Sequence, residues 1–158
     1  MVPGPAYSRR EEMESDCSLS IRGLVGADSG IYTLLIREPQ IRTAKINLVV
    51  YELLAMPEVT PDAVLVAEED NVTLQCHPPP GTVTTWWQRG DAPLSPGGRL
   101  SLSPDNLTLT VTAARRGDAG LYGCHVANPV SNNRSRDVNV TVACEWADVA
   151  PLWSCGTA

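Results

Sequence analysis

Apolar and polar residues alternate in short runs along most of this chain, the period of a strand with one buried face. Val72, Leu74 and Cys76 alternate with Thr73, Gln75 and His77. After the Pro78-Pro-Pro-Gly81 turn comes a run carrying Trp86 and Trp87, and then the pair Leu100 and Leu102. Leu107, Leu109 and Val111 follow, then Tyr122, Cys124 and Val126, and last Val138, Val140 and Val142. Short alternating runs about 8–12 residues apart, with turn signals between them, predict an antiparallel β-sandwich. The same alternation is read as placing Trp86 inside the sandwich and Trp87 on its outer face.

Part of this pattern occurs twice. Cys17-Ser-Leu-Ser-Ile21 followed by Asp28-Ser-Gly-Ile-Tyr32-Thr-Leu34 matches Leu107-Thr-Leu-Thr-Val111 followed by Asp118-Ala-Gly-Leu-Tyr122-Gly-Cys124, 90 positions later. That period is too long for a solenoid and fits a sandwich domain. The first copy supplies only the equivalents of the last strands. Pro57 and Pro61 mark the junction, so the chain is divided into 1–52, 57–142 and a tail, 143–158. No strand or helix period is sustained in that tail, which is expected to be disordered or loosely docked, with Cys144 and Cys155 without a structural role.

Composition narrows the class. Phe is absent, so the core is built from Val, Leu and Ile, residues suited to pleated surfaces. The formal net charge is −6 and Lys45 is the single lysine, a balance that disfavours nucleic acid and anionic lipid as partners. No apolar run approaches the roughly 20 residues that span a bilayer, so direct membrane insertion is not expected. The opening Met1–Asp16 lacks the apolar stretch of a secretory signal.

Cys76 and Cys124 lie 48 positions apart, with Trp86 ten residues after the first. In an immunoglobulin sandwich such cysteines bridge the two sheets and a Trp packs on the bridge. Cys76-His77 and Cys124-His125 also read as metal-ligand pairs. Neighbours on a strand point to opposite faces, however, so the histidines face out while the cysteines face the core, and four ligands do not converge. Neither a metal nor another cofactor is expected. Tyr122, two residues before Cys124, fits a tyrosine corner. Arg99 and Asp118 are expected to pair at the end of the sandwich, as are Arg10 and Asp28; the alternative is solvated surface charges.

Four glycosylation sequons occur, at Asn71, Asn106, Asn133 and Asn139. Their density, together with the expected disulfide, points to exposure in the secretory pathway. Phosphate loops, nucleophile elbows and zinc-protease motifs are missing, so neither catalysis nor a small-molecule substrate is expected.

Tyr7-Ser8, Asp28-Ser-Gly-Ile-Tyr-Thr-Leu34, Trp86-Trp87 and the stretch Tyr122-Gly-Cys-His-Val-Ala-Asn-Pro-Val-Ser-Asn-Asn-Arg-Ser135 resemble the carcinoembryonic-antigen-related cell adhesion molecules. The resemblance covers about Pro3–Val142. It implies a constant-type domain preceded by the end of a variable-type domain, in which Leu34 stands where the second cysteine would be. It further implies a cell-surface or secreted glycoprotein that binds related proteins, homophilically or heterophilically, in adhesion and in immune or epithelial signalling. The implied contact face in the first copy includes Leu35 and Arg37. Trp87 is expected on the outer face of the second, partly shielded by a glycan on Asn139. The half-domain, the tail and the lack of signal and anchor suggest a truncated or alternatively spliced product of a longer receptor, with a structural spacer or a non-functional truncated isoform as the competing readings.

Overall fold

The computed structural model describes residues 7–16, 18–36 and 40–143. Cys17, Arg37, Cys144 and Cys155 therefore lie outside the described residues, as does the expected tail except for Ala143. The chain divides into two compact units, Met1–Glu52 and Leu53–Ala158.

The first unit holds two antiparallel ladders. Strand β1 (Glu11–Met13) pairs with β2 (Leu19–Ile21), and β3 (Gly30–Ile36) pairs with β4 (Arg42–Leu48). Tyr32 donates its hydroxyl to the Asp28 carbonyl at 2.9 Å, closing the corner that leads into β3. No described residue of this unit is buried.

The second unit is an all-β sandwich. Its strands are β5 (Glu58–Thr60), β6 (Ala63–Ala67), β7 (Val72–His77), β8 (Thr84–Arg89), β9 (Ala92–Pro93), β10 (Leu100–Leu102), β11 (Thr108–Val111), β12 (Gly120–Asn128), β13 (Ser131–Arg134) and β14 (Val138–Ala143). One sheet runs β10-β11-β7-β5; the other runs β6-β14-β12-β8-β9, with β13 also on β12. Pairing is antiparallel except between β6 and β14. Alternation fills the interior: Val72, Leu74 and Cys76 from one sheet meet Tyr122, Cys124, Val126, Val138 and Val140 from the other. Cys76 and Cys124 are bonded across the sheets with Cα atoms 6.1 Å apart. On the chain-entropy account, closing a loop of this length stabilises the fold by about 4 kcal/mol. Leu54, upstream of Pro57, also reaches this core and is 7% exposed.

The two tryptophans exchange the places read from the alternation. Trp87 is fully buried, whereas Trp86 is half-buried on the outer face. Cross-strand partners share a face, and β12 sets Cys124 opposite Trp87 and His125 opposite Trp86. Cys124 points inward, so Trp87 does too. The parity counted from Cys76 is lost in the turn between β7 and β8, where the chain leaves the pleat.

Candidate functional site

The interior of the second unit is a closed structural site. The Trp87 indole N–H donates to the Asn106 carbonyl at 2.8 Å, so the ring is both sealed and satisfied. Asn106 has φ of 57°, a left-handed conformation that asparagine tolerates in a turn. A residue buried in this way makes no partner contact, and the outer-face role expected for Trp87 is corrected accordingly.

Charge is pinned where β12 begins. The Tyr122 hydroxyl donates to the Asp118 carbonyl at 2.6 Å. Asp118 Oδ2 accepts from the Arg99 guanidinium at 2.6 Å and from the Arg115 amide at 2.9 Å. Burial pushes the Asp118 carboxyl up, but the bonds from Arg99 and Arg115 outweigh it and hold the group below its usual range. In the first unit Arg10 and the Val25 amide grip Asp28 likewise, bringing its pKa down to about 2. Arg116-Gly117-Asp118 forms a 3₁₀ turn. The Asp118 carboxylate in it is committed to Arg99 rather than presented outward.

The outer face of the six-stranded sheet carries aromatic, charged and apolar residues side by side. Trp86 stacks on His125, and His125 pairs across β12 and β13 with Arg134. Arg134 lies over Gly123, where an added Cβ would stand 2.8 Å from its Nε, and its far end pairs with Asp137. Gly123 is thus the bare backbone that lets a guanidinium lie flat on the sheet. Further along the same face, Leu65 and Leu121 are 77% and 47% exposed. Asn139 stands between their strands, opposite Leu121 on one side and Ala63 on the other.

The sequons fall in different settings. Asn71 is exposed, and its side-chain oxygen accepts from the Ala113 amide at 3.0 Å. Asn106 is half-buried and Asn139 exposed. Asn133 donates its amide Nδ2 to the Leu54 carbonyl at 3.1 Å, while Ser131 Oγ accepts from the Leu54 amide at 2.9 Å. Ser135, the third residue of that sequon, is 7% exposed, and its hydroxyl accepts from the Cys124 amide at 3.0 Å. Neither this clasp on Leu54 nor the Trp86–His125 stack was foreseen. Both depend on pairings that only the fold supplies.

In the first unit Leu35 is 49% exposed and faces opposite to half-buried Leu34. Among the described residues no group of His, Cys, Asp and Glu could hold a metal ion. A shallow depression of about 300 Å³ beside β5 is lined by residues that include Met56, Val59, Arg136 and Val138. Among the described residues no helix is long and apolar enough to cross a membrane.

The immunoglobulin domain family matches residues 57–128. The cell adhesion molecule CEACAM16 of Rattus norvegicus is 42% identical over 144 residues, and that of Mus musculus 41%. The chain spans 34% of the length of each of these relatives, while 89% of the chain is matched. The crystal structure of murine CEACAM1b superposes with a TM-score of 0.73 at 31% identity, covering 90% of this chain and 72% of that one. The chain belongs to the CEACAM family of the immunoglobulin superfamily. A chain in the crystal structure of the mouse coronavirus receptor-binding domain complexed with its murine receptor is similar as well, at 33% identity and a TM-score of 0.75. That alignment covers 89% of this chain and 71% of the other. Family membership places the sandwich among protein-recognition and adhesion modules generally.

Proposed function

We propose that this chain is an extracellular adhesion and recognition module, with the second unit as a constant-type support and the first unit carrying the partner contact. The carrying observation is Leu35 on β3, half exposed on the same face as exposed Ile31 and opposite to the face of half-buried Tyr32 and Leu34. The similarity to cell adhesion molecules supports a protein partner, either a second copy or a related family member. Recognition then rests on a strand face rather than a pocket, with no chemistry performed on the partner. Glycosylation, residence at the cell surface, and roles in epithelial or immune signalling form part of this reading.

The experiment is binding of the full chain to immobilised copies of itself and of related family ectodomains. L35D should weaken capture at least about tenfold, the scale on which interface anchors act. Equal capture by wild type and L35D would remove the contact from β3. A spacer role is the second reading. It is favoured by the Trp86 ring being covered by His125 instead of standing free on the outer face.

A further inference from the structure

We infer that Asn139 carries an N-linked oligosaccharide that covers the exposed leucines Leu65 and Leu121, and that the Asn133 sequon of the secreted protein is bare because its amide clasps Leu54. The inference rests on the extracellular reading and adds to it a choice among sequons of identical grammar.

The sequon Asn139-Val140-Thr141 lies in β14 with Val140 sealed in the core at 3% exposure and its two functional residues pointing outward. Asn139 is the direct partner of Leu121, and Thr141 is the direct partner of Leu65. Directly opposed residues hold their Cβ atoms about 5 Å apart, so the first sugar ring on Asn139 starts beside Leu121 and diagonal to Leu65 on the other flanking strand. The Asn139 side chain has no hydrogen-bond partner among the described residues, so attachment disrupts nothing that they provide. An apolar pair this exposed, one leucine on the edge strand β6 and the other on β12, invites association with other chains, and a branched sugar rooted on β14 between those strands removes that surface from contact.

Asn133 is the reverse case. Its Nδ2 is the atom a sugar would occupy, and that atom holds the Leu54 carbonyl while Ser131 holds the Leu54 amide. The two bonds fix the backbone of a residue whose side chain is part of the core. Glycosylation forms a bond from Nδ2 to the anomeric carbon of an oligosaccharide carried on a polyprenyl diphosphate. The anomeric C–O bond breaks, the diphosphate leaves with the electron pair, and one amide proton passes to base. The transferase meets the chain before it folds, so a sugar on Asn133 would sit on the same nitrogen that reaches the Leu54 carbonyl when the clasp closes. Chains bearing it would be held back from secretion.

The test expresses the full chain behind a secretory signal in mammalian cells. Glycosidase release in heavy-oxygen water then measures occupancy at Asn71, Asn106, Asn133 and Asn139. Occupancy of Asn139 should exceed that of Asn133 by about tenfold or more. Sugar on Asn71 or Asn106 with Asn139 bare, or equal occupancy of Asn133 and Asn139, would overturn this inference alone. Four bare sequons would overturn both it and the extracellular reading. In a second arm, secreted N139Q should shift to larger species on size-exclusion chromatography, and adding L65T and L121T should restore the wild-type profile. An N139Q chain as monodisperse as wild type would show that the sugar does not cover the leucines.

Discussion

Trp86 and His125 stack on the outer face of the larger sheet with ring centroids 5.0 Å apart and planes at 17°. Arg134 pairs with His125 from the neighbouring strand, and Asp137 pairs with Arg134. His125 Nε2 is buried without a hydrogen-bond partner among the described residues. Burial, then the Arg134 charge, hold the imidazole below its usual pKa, with Asp137 opposing them.

A pH dependence follows from this stack. A histidine whose folded pKa is depressed is neutral in the fold, while the unfolded chain takes up a proton near pH 6.5. Its contribution is therefore complete above about pH 6.5 and declines as pH falls through the lower folded value. Denaturation midpoints should drop between neutral pH and about pH 5 in wild type, and H125Q should flatten that slope. Identical slopes in wild type and H125Q would show that the stack does not oppose protonation.

Neighbouring tryptophans give a sharper contrast. W87A removes a fully buried ring and its bond to the Asn106 carbonyl, so it should cost about 3–5 kcal/mol of stability. W86A removes half-exposed area and one stacking contact, so it should cost about 1–2 kcal/mol. Chemical denaturation of both variants checks the order. A larger loss for W86A would mean that Trp87 is not the ring sealed in the core.

The sandwich could be read from alternation because each strand repeats its own two-residue period. The bridge between Cys76 and Cys124 could be read from spacing, since both cysteines lie on inward positions. Trp86 and Trp87 could not be ordered in the same way. The turn from Pro78 to Val83 separates them from Cys76, and a pleat has no memory across a turn. Their faces are set by the pairing of β8 with β12. The Leu54 clasp was further out of reach: its bonds join residues 77 and 79 positions apart, and no local pattern marks either end.

At the corner preceding β12, Arg99 and Asp118 share an ion pair that also anchors Arg115. D118N keeps the shape but weakens the pairing, at a cost of about 1–3 kcal/mol less whatever solvent screening removes. The Asp118 pKa is depressed in the fold, so its contribution is full above about pH 4 and disappears as pH falls through the folded value. Acid titration of stability should therefore be shallower in D118N than in wild type. Equal acid slopes would mean that the pair is electrostatically idle.

The first unit should behave differently from the sandwich. Ile31 and Ile46 are 71% and 67% exposed, Leu19 and Leu24 are exposed, and no described residue of the unit is buried. Large apolar side chains each contribute about 1.5–3 kcal/mol when fully buried, and that contribution is largely absent here. What remains includes the β1–β2 and β3–β4 ladders, the Tyr32 corner and the Arg10–Asp28 and Arg22–Glu12 pairs. Two-stranded ladders are marginal in water without an apolar face packed against something. Hydrogen exchange on the full chain should therefore show amides of β3 and β4 exchanging orders of magnitude faster than those of β7 and β12, since local opening needs little free energy where little area is buried. N–H groups bonded within the β3–β4 ladder are the informative ones. Protection of β3 and β4 equal to that of β12 would mean that another surface, such as a second copy, covers their apolar residues in solution.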